Sequence, residues 1–155
     1  MQLTSPAFQE GNSIPQLYTC EGKNSRPPLQ FHSVPSKTKS LVLIMDDPDV
    51  PASIRPEKMY DHWVVFNIPP NTQGIHENGE VPGIQGRSTN GKNSYVGPCP
   101  PFGEHRYFFK LYALDTFLNL QAGATKKDVE HAMEGHIVAK AELMGRYEKE
   151  NQPNN

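Results

Sequence analysis

The strand-forming runs of this chain come one after another, with no helix between them. Four stand out: "LQFHSVP" (Leu29–Pro35), "SLVLIMDD" (Ser40–Asp47), "HWVVFNIP" (His62–Pro69) and "RYFFKLYALD" (Arg106–Asp115). The first alternates, and the others are apolar along most of their length, as expected of central strands buried on both faces. "QLTSPAF" and "QLYTC" near the N-terminus read as weaker edge strands. A helix is signalled only afterwards. "TKKD" (Thr125–Asp128) fits a capping box, with Asp in place of the usual Glu at its third position. Val129, Ala132, Met133, His136, Ile137, Lys140, Ala141, Met144 and Tyr147 follow at roughly helical spacing, which predicts a helix to about Tyr147. Strands first and one helix last, without βαβ alternation, predict a mostly β fold with antiparallel sheet and a C-terminal peripheral helix.

The chain has 155 residues, enough for one domain with a real core. That domain is expected over residues 1–150. The end, "EKENQPNN", is expected to fray, with 151–155 as its tail. No internal repeat is visible. The formal net charge of −2 offers no basic stripe for displacing counterions from nucleic acid, so no nucleic-acid partner is expected. "MQLTSPAFQEGNS" lacks the basic and apolar regions of a signal peptide, and "LVLIM" is far too short to span a bilayer. A cytoplasmic location without integral membrane association is therefore expected. Two cysteines, Cys20 and Cys99, make neither a disulfide framework nor a CxxC pair, and are expected as free thiols. Fifteen prolines and twelve glycines, scattered between apolar runs, suggest long ordered loops.

Polar residues gather at three strand ends: "DDPDVP" (Asp46–Pro51), "DHW" (Asp61–Trp63) and "GPCPPFGEHRY" (Gly97–Tyr107). Each has a plain structural reading. The first is a turn made by Asp and Pro, His62 is a satisfied core histidine, and His105-Arg106-Tyr107 starts a strand. A shared pocket at one end of the sheet explains all three together, and loops on a rigid sheet commonly carry binding groups. Histidine and tyrosine can donate to an anionic oxygen. Glycine lets backbone N–H groups approach a ligand, and proline walls the site with apolar surface. The combination describes a small anion hole with a hydrophobic rim. There is no P-loop, and there is no HExxH zinc motif.

In this order, these clusters resemble the phosphatidylethanolamine-binding protein family. The matching residues are Asp47-Pro48-Asp49-Val50-Pro51, His62, Gly97-Pro98-Cys99-Pro100-Pro101, Gly103 and His105-Arg106-Tyr107. "DHWVVFNIPP", "YVGPCPPFGEHRYFFKLYALD" and "GHIVAKAELMGRY" are most similar to the bacterial and archaeal Raf-kinase-inhibitor-like branch. The resemblance runs from about Leu3 to Tyr147. It implies two antiparallel sheets, the larger carrying at its end a site for phosphate, acetate or a phospholipid headgroup. It implies that Asp47, His62, His105 and Tyr107 line the pocket. Gly97, Cys99, Pro100 and Pro101 would form its loop wall, Pro51 would close the acidic turn, and Tyr60 would stand at the aromatic rim. It also suggests a cis Val50–Pro51 bond and allows a homodimer. Cys99 replaces a glycine common in the family, as a packed thiol or as a reactive one beside His105. Eukaryotic members carry a C-terminal helix flanking the pocket. This chain is expected to end differently, in the capped helix, so their kinase inhibition is not assumed for it.

The leading expectation is a non-enzymatic module for a small phosphate-bearing ligand, needing no cofactor and no metal. The alternatives are a phosphoesterase using an Asp–His pair and a regulator that binds a kinase or another protein through the same pocket. Asp47 can favour a protonated histidine or accept from a ligand that keeps a proton, so phosphate is expected to bind more tightly at pH 6 than at pH 8.

Overall fold

In the computed structural model, residues 1–150 are described. The segment set apart as a frayed tail, 151–155, lies outside them. Along the chain run β1 (Gln2–Thr4), a single 3-10 turn (Gln16–Tyr18), β2 (Leu29–His32), β3 (Ser40–Asp47), β4 (Tyr60–Ile68), β5 (Gly74–Ile75), β6 (Ile84–Gln85), β7 (Glu104–Leu114), α1 (Lys126–Met133) and β8 (Ile137–Glu148). They form two antiparallel sheets, β1-β2-β5 and β6-β4-β3-β7-β8.

Strand β3 is buried at every position because both its faces are covered. Leu41, Leu43 and Met45 face the small sheet and pack with Leu3, Leu29, Phe31, Ile75, Trp63, Phe109 and Leu111. Val42 and Ile44 point the other way and pack with Val64, Phe66, Leu118 and the helix residues Val129 and Met133. The molecule is thus layered as small sheet, large sheet and helix. No helix among the described residues is long and apolar enough to cross a membrane.

The predicted capping box is formed in full: Thr125 Oγ1 accepts from the Asp128 N–H, and Asp128 Oδ2 accepts from the Thr125 N–H. The predicted length of that helix is corrected. It stops at Met133, and Gly135 at φ +80° turns the chain into β8. Residues 137–148 pair with β7 along almost its whole length, from Leu114↔Ile137 to Glu104↔Glu148. The open edge of β7 offers a ladder of backbone partners, and Leu143, Gly145 and Tyr147 turn alternately inward. Gly145 is tightly placed, since a Cβ there would lie 2.5 Å from Ile14 and 2.8 Å from Phe8. Order extends past β8, where the Glu150 N–H donates to Glu21.

Three further expectations are corrected. Within "QLYTC", Gln16–Tyr18 is a 3-10 turn, not a strand. All described peptide bonds are trans, Val50–Pro51 included; the acidic turn is closed instead by the Pro51 carbonyl, which accepts from the Ile54 and Arg55 N–H groups. Cys20 and Cys99 are joined in a disulfide across 79 residues of sequence. The loop after the 3-10 turn lies against the Gly/Pro loop, where the Cys20 N–H donates to the Pro98 carbonyl at 3.1 Å and the Gly97 N–H to Asn24 Oδ1 at 2.8 Å. Neither cysteine is therefore a free thiol, packed or reactive. The pairing bears on the compartment, because disulfides are rare in cytosolic proteins.

Candidate functional site

Antiparallel pairing brings the three polar clusters to one end of the large sheet. Strand β3 lies between β4 and β7, so its C-terminal end meets the N-terminal ends of both: Asp47 pairs with Tyr60, and Asp46 with Phe108. A bulge then re-aims one residue. Met45 pairs with Trp63 and Asp46 with Asp61, which leaves His62 as an extra residue in β4. Its ring is turned toward the space between the sheets, beside Trp63, where strict alternation would have placed it on the helix side.

The result is a cavity of about 220 Å³ lined by Asp47, Tyr60, His62, Gly97, Cys99, Pro100, Pro101, His105 and Tyr107. Nine of the ten residues proposed from the sequence thus surround one space. Pro51 does not; it belongs to the turn outside. Val50, Ile54, Arg55 and Val96 complete the lining and were not foreseen. They sit in loops with no periodic pattern, and only their closeness in sequence to Pro51, Tyr60 and Gly97 hinted at them.

At the base, Asp47 Oδ2 and His105 Nδ1 are 2.6 Å apart, with side chains only 4% and 6% exposed. The other Asp47 oxygen accepts from the Asp49 N–H at 2.7 Å. Asp49 in turn grips Arg106, accepting from its backbone N–H, its Nε and its Nη2. Those hydrogen bonds hold the Asp49 carboxyl below its ordinary range. The acidic turn and the start of β7 are therefore clamped twice.

His62 is held differently. Its Nδ1 lies 2.6 Å from the Val96 carbonyl oxygen, which can only accept, so Nδ1 carries a proton. The Val96 N–H returns a bond to the His62 carbonyl at 3.0 Å. Burial pushes the imidazole pKa down to about 4, with the Val96 bond and the nearby Asp47 charge opposing. The ring is neutral at neutral pH. Tyr107 lies between the two histidines, with ring centres 5.2 Å from His62 and 6.5 Å from His105. Burial raises its hydroxyl pKa, which keeps the proton on. Tyr60 packs 4.7 Å from His62 and carries the Arg55 guanidinium over its ring at 5.9 Å.

The loop wall is fixed from behind. A Cβ on Gly97 would meet the Tyr18 carbonyl at 2.4 Å and Asn24 Oδ1 at 2.3 Å, so only glycine fits. Its N–H is spent on Asn24 and is not offered to the cavity. Tyr95 Oη donates to the same Tyr18 carbonyl, and the disulfide crosses the two loops beside it. Among the described residues no group of three or more His, Cys, Asp or Glu side chains is placed to hold a metal ion.

Comparison with known proteins agrees with this architecture. The profile of the family described as "Phosphatidylethanolamine-binding protein" matches residues 4–148. A "UPF0098 protein" of Chlamydia trachomatis is 49% identical over 150 residues, covering 97% of this chain and 100% of that one. Another, from Methanothermobacter thermautotrophicus, is 50% identical, covering 96% and 99%. Among solved structures, the phosphatidylethanolamine-binding protein homologue CT736 of Chlamydia trachomatis superposes with a TM-score of 0.94 at 48% identity, covering 96% of this chain and 97% of that one. YbcL of E. coli, described as a new member of the mammalian family, gives a TM-score of 0.85 at 28% identity, covering 96% and 98%. The chain, with its two antiparallel sheets and its acidic turn clamped to the start of β7, belongs to the phosphatidylethanolamine-binding protein family.

Proposed function

We propose that the cavity at the end of the large sheet binds the phosphoryl group of a small ligand, and that the protein acts as a binding module. The observation that carries this reading is the buried Asp47–His105 pair at the cavity base. The carboxylate fixes the histidine with its Nδ1–H inward and leaves Nε2 to the cavity. That nitrogen can share a proton with a phosphoryl oxygen that keeps its own, which gives a short hydrogen bond to the anion. Tyr60 and Tyr107 add hydroxyl groups. Pro100, Pro101, Val50 and Ile54 supply a dry rim that strengthens such bonds. The volume suits a headgroup-sized ligand. Asp47 is held by two hydrogen bonds, which favours an orienting role over that of a nucleophile.

Isothermal titration with phosphoethanolamine and inorganic phosphate tests the reading. Dissociation constants on the order of 0.1–1 mM are expected, since a small headgroup offers few contacts. Binding should be tighter at pH 6 than at pH 8. Asp47→Ala and His105→Ala should each weaken it roughly tenfold or more, the worth of a hydrogen bond to a charged group. No saturable binding at either pH would overturn the reading.

A further inference from the structure

We propose that Lys126, at the start of α1 and outside the cavity, is a positioning residue for the ligand site. It bridges two carboxylates on the helix side of the large sheet and so holds the bulge that turns His62 into the cavity. The inference rests on the phosphoryl-binding reading above for its ligand, and adds to it what keeps the site in shape. Asp46 and Asp61 pair directly across β3 and β4, at the register shift that leaves His62 as an extra residue. Each immediately precedes a cavity residue, Asp47 and His62 respectively. Like charges set opposite each other on neighbouring strands repel. Here Lys126 Nζ lies between them, 2.8 Å from Asp61 and 3.1 Å from Asp46.

The surroundings leave this pair dependent on the lysine. Asp46 is buried, and its Oδ1 has no hydrogen-bond partner among the described residues. Its Oδ2 also meets Lys110 Nζ from β7 at 3.1 Å. Among the described residues, however, Lys126 alone forms an ion pair with both carboxylates. Locally, a lysine is a poor choice for this place. The first turn of a helix carries the positive end of the dipole, which favours acids. The capping box of Thr125 and Asp128 fixes that end of α1, and with it the root of the lysine side chain. Burial alone would lower the Lys126 pKa, yet the Asp61 hydrogen bond and the two carboxylate charges bring it above the ordinary lysine value. A residue set against its local preference and met by two carboxylates across the fold serves the tertiary structure. On the cavity side, the same stretch of β4 carries the 2.6 Å contact between His62 Nδ1 and the Val96 carbonyl. Opening the Asp46–Asp61 pair displaces the segment that aims this ring, and with it Asp47 beneath His105.

Two readouts on folded protein, taken well below the Tm of each variant, test the role. The first is isothermal titration with phosphoethanolamine and inorganic phosphate. Lys126→Met should weaken both by about fivefold to tenfold, the usual size of a coupling carried through packed neighbours. Removing the repulsion as well, in Lys126→Met/Asp61→Asn, should bring affinity back to within about twofold of wild type. The second is the proton resonance of His62 Nδ1–H, which is buried and bonded and should exchange slowly in the wild type. It should shift or broaden in Lys126→Met and return in the double variant. A lysine with a merely structural role would lower the Tm and leave both readouts in place. Should Lys126→Met not fold, Lys126→Gln takes its place in the same comparisons. An unchanged affinity, an unchanged resonance, or a loss that Asp61→Asn does not reverse would overturn the proposal and leave the anion site standing. No binding of either probe by the wild type would overturn the binding reading, and the His62 resonance would still decide the role of Lys126.

Discussion

Breaking the Cys20–Cys99 bond should weaken the fold without abolishing it. The bond closes 79 residues of chain, and the loop-entropy relation gives it about 4.5 kcal/mol of stabilisation. For a chain of this size, that corresponds to a fall of roughly 10–15 °C in Tm. The loops it joins keep other ties, namely Cys20 N–H to Pro98, Gly97 N–H to Asn24, and Tyr95 Oη to Tyr18. Much of the core between the sheets, such as Leu41, Leu43, Phe109 and Leu111, comes from strands outside the two loops it joins. Reduction should therefore lower the urea midpoint while leaving the far-ultraviolet circular dichroism intact. The assay compares oxidised protein, protein in excess dithiol, and the Cys20→Ser/Cys99→Ser double variant, with thiol counts on denatured samples. Oxidised protein should show no thiol, and two after reduction. Equal midpoints for all three samples, or two thiols without reductant, would refute the reasoning.

Other expectations follow from single contacts. His62 has a folded pKa of about 4 against about 6.5 unfolded, so the unfolded chain takes up its proton first as pH falls. Its contribution is complete above pH 6.5 and fades toward pH 4, on the order of 3 kcal/mol in all; urea midpoints between pH 7 and pH 4 should fall less steeply in His62→Gln than in wild type. Lys126 on α1 reaches Asp46 at 3.1 Å and Asp61 at 2.8 Å, and Asp46 is 1% exposed. Lys110 Nζ also stands 3.1 Å from Asp46 and remains in the variant, so Lys126→Met should cost about 1–3 kcal/mol by urea unfolding, and no measurable loss would count against the buried pairing. Gly145→Ala drives a methyl group into Ile14 and Phe8 and should cost about 1–3 kcal/mol, read as a drop in Tm.

The strands were legible because burial on both faces demands apolar residues at nearly every position, as in Ser40–Asp47. The clustering at strand ends was legible too, because three antiparallel neighbours must bring alternate ends together. The last strand was not. Its Ile137, Lys140, Ala141, Met144 and Tyr147 satisfy a helical period as well as the weak alternation of Leu143, Gly145 and Tyr147. The deciding facts are the left-handed Gly135 and the open edge of β7, which are properties of the assembled sheet. The disulfide likewise depends on two loops meeting across 79 residues, which local pattern does not encode. Within the site, residue types were readable but atomic roles were not. That Gly97 gives its N–H to Asn24, and that His62 is turned inward by a bulge, required the packing around them.

A crystal structure grown with inorganic phosphate at pH 6 tests the central claim most directly. The expected result is one phosphate in the cavity bounded by Asp47, His62, His105 and Tyr107, with one oxygen within hydrogen-bond distance of His105 Nε2 and another within that distance of His62 Nε2. Phosphate seated elsewhere, such as beside Lys110 and Lys140 on the outer face of β7 and β8, with this cavity empty, would contradict it.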